Sequence, residues 1–189
     1  RDRVYLDGIA SGIKLNGKHI PNQILTVRNE THLTLKGHQY RENLELSFGT
    51  VGGKPEILVV HTLDLETYVT GIVSSELPQK WPFEALKAQA IAARTFAVWQ
   101  KYRRLDLPYH MESSVLDQVY AGMEREHPLA HKAVRDTAGL VLSHDRQLVQ
   151  AYFHAACGGR TESAKAGWKI PLAYLPGSRC GYCDDAPRS

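Results

Sequence analysis

The first third of the chain alternates short apolar stretches with turn-forming pairs. Four stretches have the length and pattern of strands, at residues 24–27, 32–35, 44–48 and 56–60. The turn signals between and around them are Asn16-Gly17, Arg28-Asn29, Lys36-Gly37 and Gly52-Gly53. Strands at this spacing predict a β-rich meander or small barrel over about residues 1–63.

From residue 64 the apolar positions change to a helical period. Asp64 is a good N-cap for a helix over 65–74, because its carboxylate can accept a backbone hydrogen bond. Pro82 suits the first turn of a second, Ala-rich helix, which ends near Arg103-Arg104. That helix has an apolar stripe of mostly small side chains: Leu86, Ala90, Ala93 and Ala97.

The last part of the chain mixes loops with short elements. Residues 105–120 read as a loop, and 128–137 as a short helix ended by Gly139. A hairpin is predicted from 139–142 and 147–153, and the tail from Gly158 reads as irregular. The whole predicts one α+β domain, residues 1–189. Its β-rich lobe, about 1–63, packs with a helical and hairpin lobe, about 64–189.

Composition excludes several classes of function. At 189 residues, 43% apolar and 23% charged, the chain has the make-up of a globular domain, and its formal charge of +3 is only mildly basic. There is no block of like charges, so nucleic-acid binding is not expected, and no run of 18 apolar residues that could span a membrane. The chain begins at Arg1 without a signal peptide, and we expect it to be a trimmed segment of a longer protein.

Glu76 stands out because it is expected at the junction of the two helices. A lone carboxylate held there can act as a general acid and base. The negative end of the first helix and the apolar Leu77, Pro78 and Trp81 favour its protonated form. A solvated turn glutamate has the same pattern. The competing carboxylates Glu66 and Glu84 lie near helix starts, where each is expected to interact with the helix dipole.

This part of the sequence resembles the SpoIID/LytB family, whose namesake is a peptidoglycan lytic transglycosylase. The first matching segments are 66–69, 71–73, 75–78, 81–82, 84–90 and 92–95. Further matches follow at 117–120, 133–134, 137–139, 141–142, 151–155, 158–159, 161–162 and 174–175. The resemblance therefore covers about residues 56–176, while the early strands match poorly.

The resemblance implies an enzyme that cuts the MurNAc–GlcNAc backbone of peptidoglycan without water and leaves 1,6-anhydro ends. The family's catalytic glutamate maps onto Glu76. The expected substrate is glycan stripped of its stem peptides, the expected partner is a cell-wall amidase, and the expected location is extracytoplasmic, in the periplasm or cell envelope, with or without a membrane anchor. The family also includes proteins described as amidase enhancers, so a non-catalytic glycan-binding module is the alternative.

Four side chains in the matched segments are candidates for contacting the glycan. Gln118, Tyr120 and His154 can bond sugar hydroxyls or stack on pyranose rings, and Arg94 can bind a carboxylate or acetamido group. Each has a structural alternative. Gln118 and His154 could satisfy buried backbone groups, Tyr120 could be part of the core, and Arg94 could lie on a helix surface.

The three cysteines suggest a metal site. Cys180 and Cys183 form a C-x-x-C, and Cys157 follows His154 at an i, i+3 spacing. Three thiolates and one imidazole would make a closed, structural Zn²⁺ site that ties the tail to the hairpin. Asp184 or Asp185 could replace His154 as the fourth ligand. The alternative is one disulfide and one free thiol.

Overall fold

Antiparallel strands make up the first part of the chain, as the apolar pattern predicts. The structure, a computed structural model, describes residues 6–9, 12–20, 24–28, 31–41, 43–51, 54–154 and 156–182. The strands are β1 (Leu6–Ile9), β2 (Gly12–Leu15), β3 (Lys18–Ile20), β4 (Ile24–Arg28), β5 (Leu33–Leu35), β6 (His38–Tyr40), β7 (Asn43–Val51) and β8 (Lys54–His61).

These strands form three small sheets. Their orders are β1-β2-β3, β4-β7-β8 and the hairpin β5-β6. Asn16-Gly17 and Lys36-Gly37 take positive φ at both residues, which gives the tight two-residue turns of β-hairpins. The meander is confirmed. The small barrel is wrong for the described strands, because the β5-β6 hairpin pairs with neither neighbouring sheet and the ring of strands stays open.

The helical lobe begins with two helices that contact each other, α1 (Leu65–Glu76) and α2 (Phe83–Arg103). The predicted cap is confirmed, since Asp64 accepts from the Thr67 amide at 3.0 Å. Pro82 is the N-cap of α2 and not its first helical residue, as its extended ψ of 139° shows. The loss of its N–H costs nothing at either position.

A third helix, α3 (Pro128–Asp136), completes the core. Small side chains let the three helices approach closely. The fully buried residues at the centre are Val69, Ile72, Val73, Leu86, Ala90, Ala93, Ala130 and Ala133. The ring of Tyr120 closes this core against α1, where a Cβ added to Gly71 would lie 2.3 Å from its Cε2. Only glycine fits this approach. In the described part of the chain, none of the helices is both apolar and long enough to cross a bilayer.

Two acidic side chains at the short 3-10 helix Met123–Arg125 and its C-cap connect the β5-β6 hairpin to the helical lobe. Glu124 accepts from the Gln39 amide at 3.0 Å and contacts His38 at 2.9 Å. Glu126, whose side chain is 3% exposed, forms a two-point ion pair with Arg41 and contacts His131 at 3.1 Å. These contacts join segments about 85 residues apart in the chain.

The C-terminal hairpin is shorter than predicted. Only β9 (Ser143–His144) and β10 (Gln147–Leu148) pair, and Asp145 and Arg146 take positive φ between them. The bond from Val149 N to Leu142 O, 3.3 Å, continues the pairing by one step. The predicted strand 139–142 is wrong, because those residues precede β9 and form no strand, and the predicted strand 147–153 is reduced to its first two residues.

The tail is not irregular, contrary to the sequence prediction. It contains β11 (Arg160–Thr161), α4 (Ala164–Trp168) and β12 (Ser178–Arg179), and β11 pairs with β12. Ser163 caps α4 by accepting from Ala166 N at 3.1 Å. Gly177, at φ +81°, brings β12 back to β11, where a Cβ would lie 2.8 Å from the Thr161 carbonyl oxygen. Tertiary pairing, not local pattern, orders this segment.

Candidate functional site

Glu76 is the last residue of α1, and its side chain is exposed. The turn that follows is ordered. The Leu77 amide donates to Val73 O at 3.1 Å, and the Trp81 amide donates to Pro78 O at 3.0 Å. Trp81 is 40% exposed and supplies apolar surface close to Glu76 in the sequence. The carboxylate is thus held by a rigid helix end and is open to a ligand.

The two competing carboxylates are both engaged in ion pairs. Glu66 accepts from Arg94 Nε at 2.9 Å and from its Nη2 at 2.7 Å. Glu84 lies 3.0–3.1 Å from Lys87 Nζ through both oxygens. No described residue makes a hydrogen bond or ion pair with Glu76. Of the three, only Glu76 has no ion-pair partner among the described residues.

Two hydroxyl groups lie next to Glu76 along α1. The side-chain oxygens of Ser74 and Ser75 are buried and have no hydrogen-bond partner within the described ranges. Buried polar groups normally have a hydrogen-bond partner, so two buried hydroxyls without one, beside an exposed acid, are unusual. Sequence inspection missed these serines, because Ser at a helix C-terminus carries no signal of its own.

Arg94 is fully buried, at 1% exposure. Besides Glu66, its guanidinium donates to Leu140 O at 3.1 Å and to Val134 O at 3.2 Å. These bonds tie α1, α2 and the end of α3 together. A substrate contact for Arg94 remains a prediction. In the structure Arg94 is a buried residue that bonds three helices together, which the Ala-rich sequence around it did not indicate.

Gln118 and Tyr120 both line a cavity of about 720 Å³ between β8, the β5-β6 hairpin, α1 and the loop before Tyr120. Gln118, 1% exposed, accepts from Tyr68 OH at 3.1 Å. Burial raises the pKa of Tyr68, and the charges of Asp117 and Glu76 add to the effect. Glu76 does not line the cavity. It lies eight residues beyond Tyr68 on α1, about 12 Å along the axis.

His154 is exposed and lies in a segment without helix or strand. The β11-β12 pairing continues with a hydrogen bond from Cys180 N to Gly159 O, 2.9 Å. Cys180 is therefore next to Gly159, which follows Cys157 by two residues in the sequence. Both cysteines are half-buried. Within the described ranges, no three His, Cys, Asp or Glu side chains are placed to hold a metal, and Cys183 lies outside those ranges.

Comparison with known proteins places this geometry in a family. The chain is 32% identical over 174 residues to an uncharacterised protein of Brachyspira hyodysenteriae, covering 92% of this chain and 46% of that one. It is 33% identical over 144 residues to stage II sporulation protein D of Bacillus subtilis, covering 68% of this chain and 42% of the relative. An amidase enhancer of the same organism is 32% identical over 105 residues, 56% of this chain and 14% of the relative.

The match to the family centres on the helices and their flanks. The chain spans less than half the length of these relatives. The family profile described as Stage II sporulation protein matches residues 54–144, which contain β8, α1, α2, α3 and Glu76. The chain therefore belongs to the SpoIID family.

Proposed function

We propose that this chain is a cell-wall enzyme, a lytic transglycosylase that cuts the MurNAc–GlcNAc backbone of peptidoglycan with Glu76 as its only acid/base. One observation carries the proposal. Of the three carboxylates on the α1–α2 hairpin, Glu66 and Glu84 are held in ion pairs, while Glu76 is exposed and without a partner among the described residues.

A single carboxylate is sufficient for this reaction. Protonated Glu76 gives its proton to the glycosidic oxygen as the bond to C1 of MurNAc breaks. The resulting carboxylate then accepts the proton of the C6 hydroxyl of the same sugar while O6 bonds to C1. The product is a 1,6-anhydro ring, the glutamic acid is regenerated, and no water is consumed. A hydrolase would need a second carboxylate to activate water or to act as nucleophile.

The substrate contacts proposed for Gln118, Tyr120, His154 and Arg94 differ in their support. Gln118 and Tyr120 line a cavity large enough for a ligand, and His154 is exposed. Arg94 has a positioning role in this proposal, since its guanidinium donates to Glu66 and to three carbonyl oxygens. The substrate we propose is peptide-stripped glycan.

Cleavage of denuded glycan strands in ¹⁸O-labelled water tests the mechanism. We expect anhydro-ended fragments that carry no ¹⁸O, and no fragments from the Glu76→Gln variant. Heavy oxygen at the new reducing ends would overturn the transglycosylase mechanism and would require a second carboxylate.

The second candidate function is a glycan-binding module that stimulates an amidase without cutting. The similarity to a protein named amidase enhancer favours it. Under this hypothesis Glu76→Gln leaves the stimulation of a cell-wall amidase on intact sacculi unchanged. Neither the unchanged protein nor the variant forms an anhydro product. In both cases we propose an extracytoplasmic location, in the periplasm or cell envelope, and an amidase as working partner.

We also propose that Zn²⁺ clasps the tail through Cys157, Cys180 and Cys183, with His154 as fourth ligand. The support is the β11-β12 ladder, which carries Cys180 back toward Cys157. A tetrahedral site of this kind is closed and therefore structural, so no chemical step passes through it. The alternative is one disulfide and one free thiol, and the approach of Cys180 to Cys157 supports it equally.

Elemental analysis together with a thiol count distinguishes the two. We expect about one zinc per chain, weaker binding as pH falls because thiolates must form, and a lower melting temperature for Cys180→Ser. A metal-free protein with a single reactive thiol would contradict the zinc site and favour the disulfide.

A further inference from the structure

The short hairpin and the tail, residues 143–182, carry an excess of exposed cations. Five lysines and arginines stand against two carboxylates, and all seven side chains are exposed. The cations are Arg146, Arg160, Lys165, Lys169 and Arg179, and the carboxylates are Asp145 and Glu162. None of the five cations forms an ion pair with another described residue. This end of the domain therefore attracts anions.

Two of these cations are placed against each other. Arg160 on β11 and Arg179 on β12 are direct partners in the antiparallel ladder, so their side chains leave the same face of it. Like charges directly opposite on neighbouring strands destabilise the pairing. An anion bound from outside the domain relieves this repulsion, whereas the charges described within the domain do not.

The same segment exposes aromatic and aliphatic side chains between its cations. Trp168, the last residue of α4, is 51% exposed and packs against Tyr152 with ring centres 4.2 Å apart. Lys165 lies three residues before Trp168 on the helix, so the two side chains share a face. Lys169 and the exposed Ile170 follow directly. Charged and apolar groups are thus next to each other at the surface.

The apolar surface continues onto the last turns of α2. The Tyr152 ring centre is 6.2 Å from that of Phe96, which is 6.3 Å from that of Trp99. The guanidinium carbon of Arg103 lies 4.7 Å over the Trp99 ring. Contacts between rings therefore connect a cation of α2 with Trp168 and the cations of α4.

An exposed aliphatic run, residues 140–142, borders these rings. Leu142 and Tyr152 line the same shallow groove beside the hairpin, so the run lies next to the aromatic side chains. We call the whole the tail surface. It consists of residues 140–142, Arg103, Tyr152, Lys165, Trp168, Lys169 and Ile170.

The composition of the tail surface is typical of proteins that bind at the headgroup level of a bilayer. Tryptophan and tyrosine are enriched at the membrane–water interface, and lysine and arginine are attracted to anionic headgroups. Aliphatic side chains beside them enter the boundary with the acyl chains. A soluble polyanion would use the cations but would leave Ile170 and residues 140–142 in water. The combination favours a lipid surface.

We propose that the tail surface docks this domain on an anionic lipid bilayer. Arg103, Lys165 and Lys169 contact the headgroups, while Trp168 and Ile170 enter the boundary region. The remaining cations of the tail add to the attraction without direct contact, because charges within a Debye length still act on the bilayer. The inference is independent of the proposed function and adds to it a place of action, the membrane side of the cell envelope.

Co-sedimentation with lipid vesicles tests the tail surface. We expect the chain to bind vesicles of phosphatidylcholine mixed with anionic phosphatidylglycerol, and to bind vesicles of phosphatidylcholine alone far more weakly. The double variant Lys165→Ala/Lys169→Ala removes two cations and weakens binding to the anionic vesicles by about tenfold or more. Ile170→Ser removes an exposed aliphatic group and weakens it by about three- to tenfold.

Each of these variants has a matched control in the β-rich lobe. Lys18→Ala/Lys54→Ala makes the same change of net charge at two exposed lysines. Ile24→Ser makes the same apolar change at an exposed isoleucine of β4. We expect both controls to bind anionic vesicles within about twofold of the unchanged protein, because charges beyond a Debye length are screened. Melting temperatures establish that every variant is folded.

Tryptophan emission gives a readout that attraction between charges alone does not produce. On anionic vesicles we expect a blue shift, because the exposed indole of Trp168 leaves water. Trp168→Phe loses this shift. Trp81→Phe, in the turn after α1, keeps it.

The outcomes separate this inference from its alternatives. Equal binding to neutral vesicles, no binding to either kind, or an equal loss in the tail variants and their controls overturns the proposal. Binding to soluble polyphosphate without binding to vesicles would assign the cations to a soluble polyanion and overturns it as well. Vesicle binding that the tail variants weaken, in a protein that forms no anhydro products, supports the tail surface while the transglycosylase proposal fails.

Discussion

Glu66 and Glu76 lie ten residues apart on the same helix, and their carboxylates have opposite surroundings. Glu66, in the first turn, holds the buried Arg94 through both oxygens, and its side chain is still 41% exposed. Glu76, in the last turn, has no partner among the described residues. The positive end of a helix stabilises a carboxylate and the negative end does not. The first end of α1 therefore carries a structural ion pair, and the second carries an exposed carboxylate that forms no ion pair with the described residues.

The largest expected effect is on activity at the second end. Glu76→Gln keeps the shape of the side chain and removes the transferable proton, so cleavage of denuded glycan falls by on the order of 10²–10⁴-fold or more. The melting temperature stays unchanged, because Glu76 bonds to none of the described residues. Product release measured by mass analysis is the assay.

Glu66→Gln is the control on the same helix. At a temperature where this variant is folded, it cleaves at nearly the original rate. An equal loss of activity in both variants would break the comparison and would make the Glu66–Arg94 pair part of the chemistry.

The next effect is on stability at the first end. Glu66→Ala leaves the guanidinium of Arg94 buried with only uncharged oxygen partners, and we expect a loss of about 3 kcal/mol in the free energy of unfolding. Arg94→Met costs less, about 2 kcal/mol, because the remaining Glu66 can be hydrated. Urea titration of both variants and of the double variant measures the coupling. A double variant whose loss equals the sum of the single losses would show that the pair does not interact.

The smallest effect concerns the cap before Glu66. Hydrogen bonding from Thr67, by side chain and backbone, lowers the pKa of Asp64 below its ordinary 3.8. A lowered folded-state pKa contributes stability that is complete above 3.8 and is lost as pH falls through the folded value. Asp64→Ala should cost about 1 kcal/mol at neutral pH. Asp64→Asn keeps the cap and abolishes this part of the acid sensitivity. An unchanged acid unfolding profile in Asp64→Asn would contradict the assignment.

Local signals made the helical hairpin predictable. The Asp64 cap, the helical period of α1 and the small-residue stripe of α2 all depend on residues within a few positions of one another. The position of Glu76 at the helix junction followed from them. The sequence also identified Glu66 and Glu84 as the competing carboxylates, and the structure separates them from Glu76 by their cations.

Contacts between distant segments were beyond the sequence. Arg94 bonds to Glu66, 28 residues away in the sequence, and to the Leu140 carbonyl, 46 residues away. No local sequence pattern predicts contacts over such separations. The same limitation explains the tail, where β12 pairs with β11 from 17 or more residues away. Gly71 could have been read as a helix-weakening residue, whereas its lack of a side chain makes room for the Tyr120 ring.

The ion pair between Glu126 and Arg41 limits how far the chain can be truncated at its N-terminal side. The family match begins at residue 54, yet Glu126, with 3% of its side chain exposed, depends on a cation that lies 13 residues upstream of that point. A fragment that starts at residue 54 would keep only His131 beside this acid. An unpaired buried charge costs several kcal/mol, a large share of the 5–15 kcal/mol that holds a typical domain folded. We therefore expect the smallest fragment that folds to start before His38, upstream of the first residue of the family match.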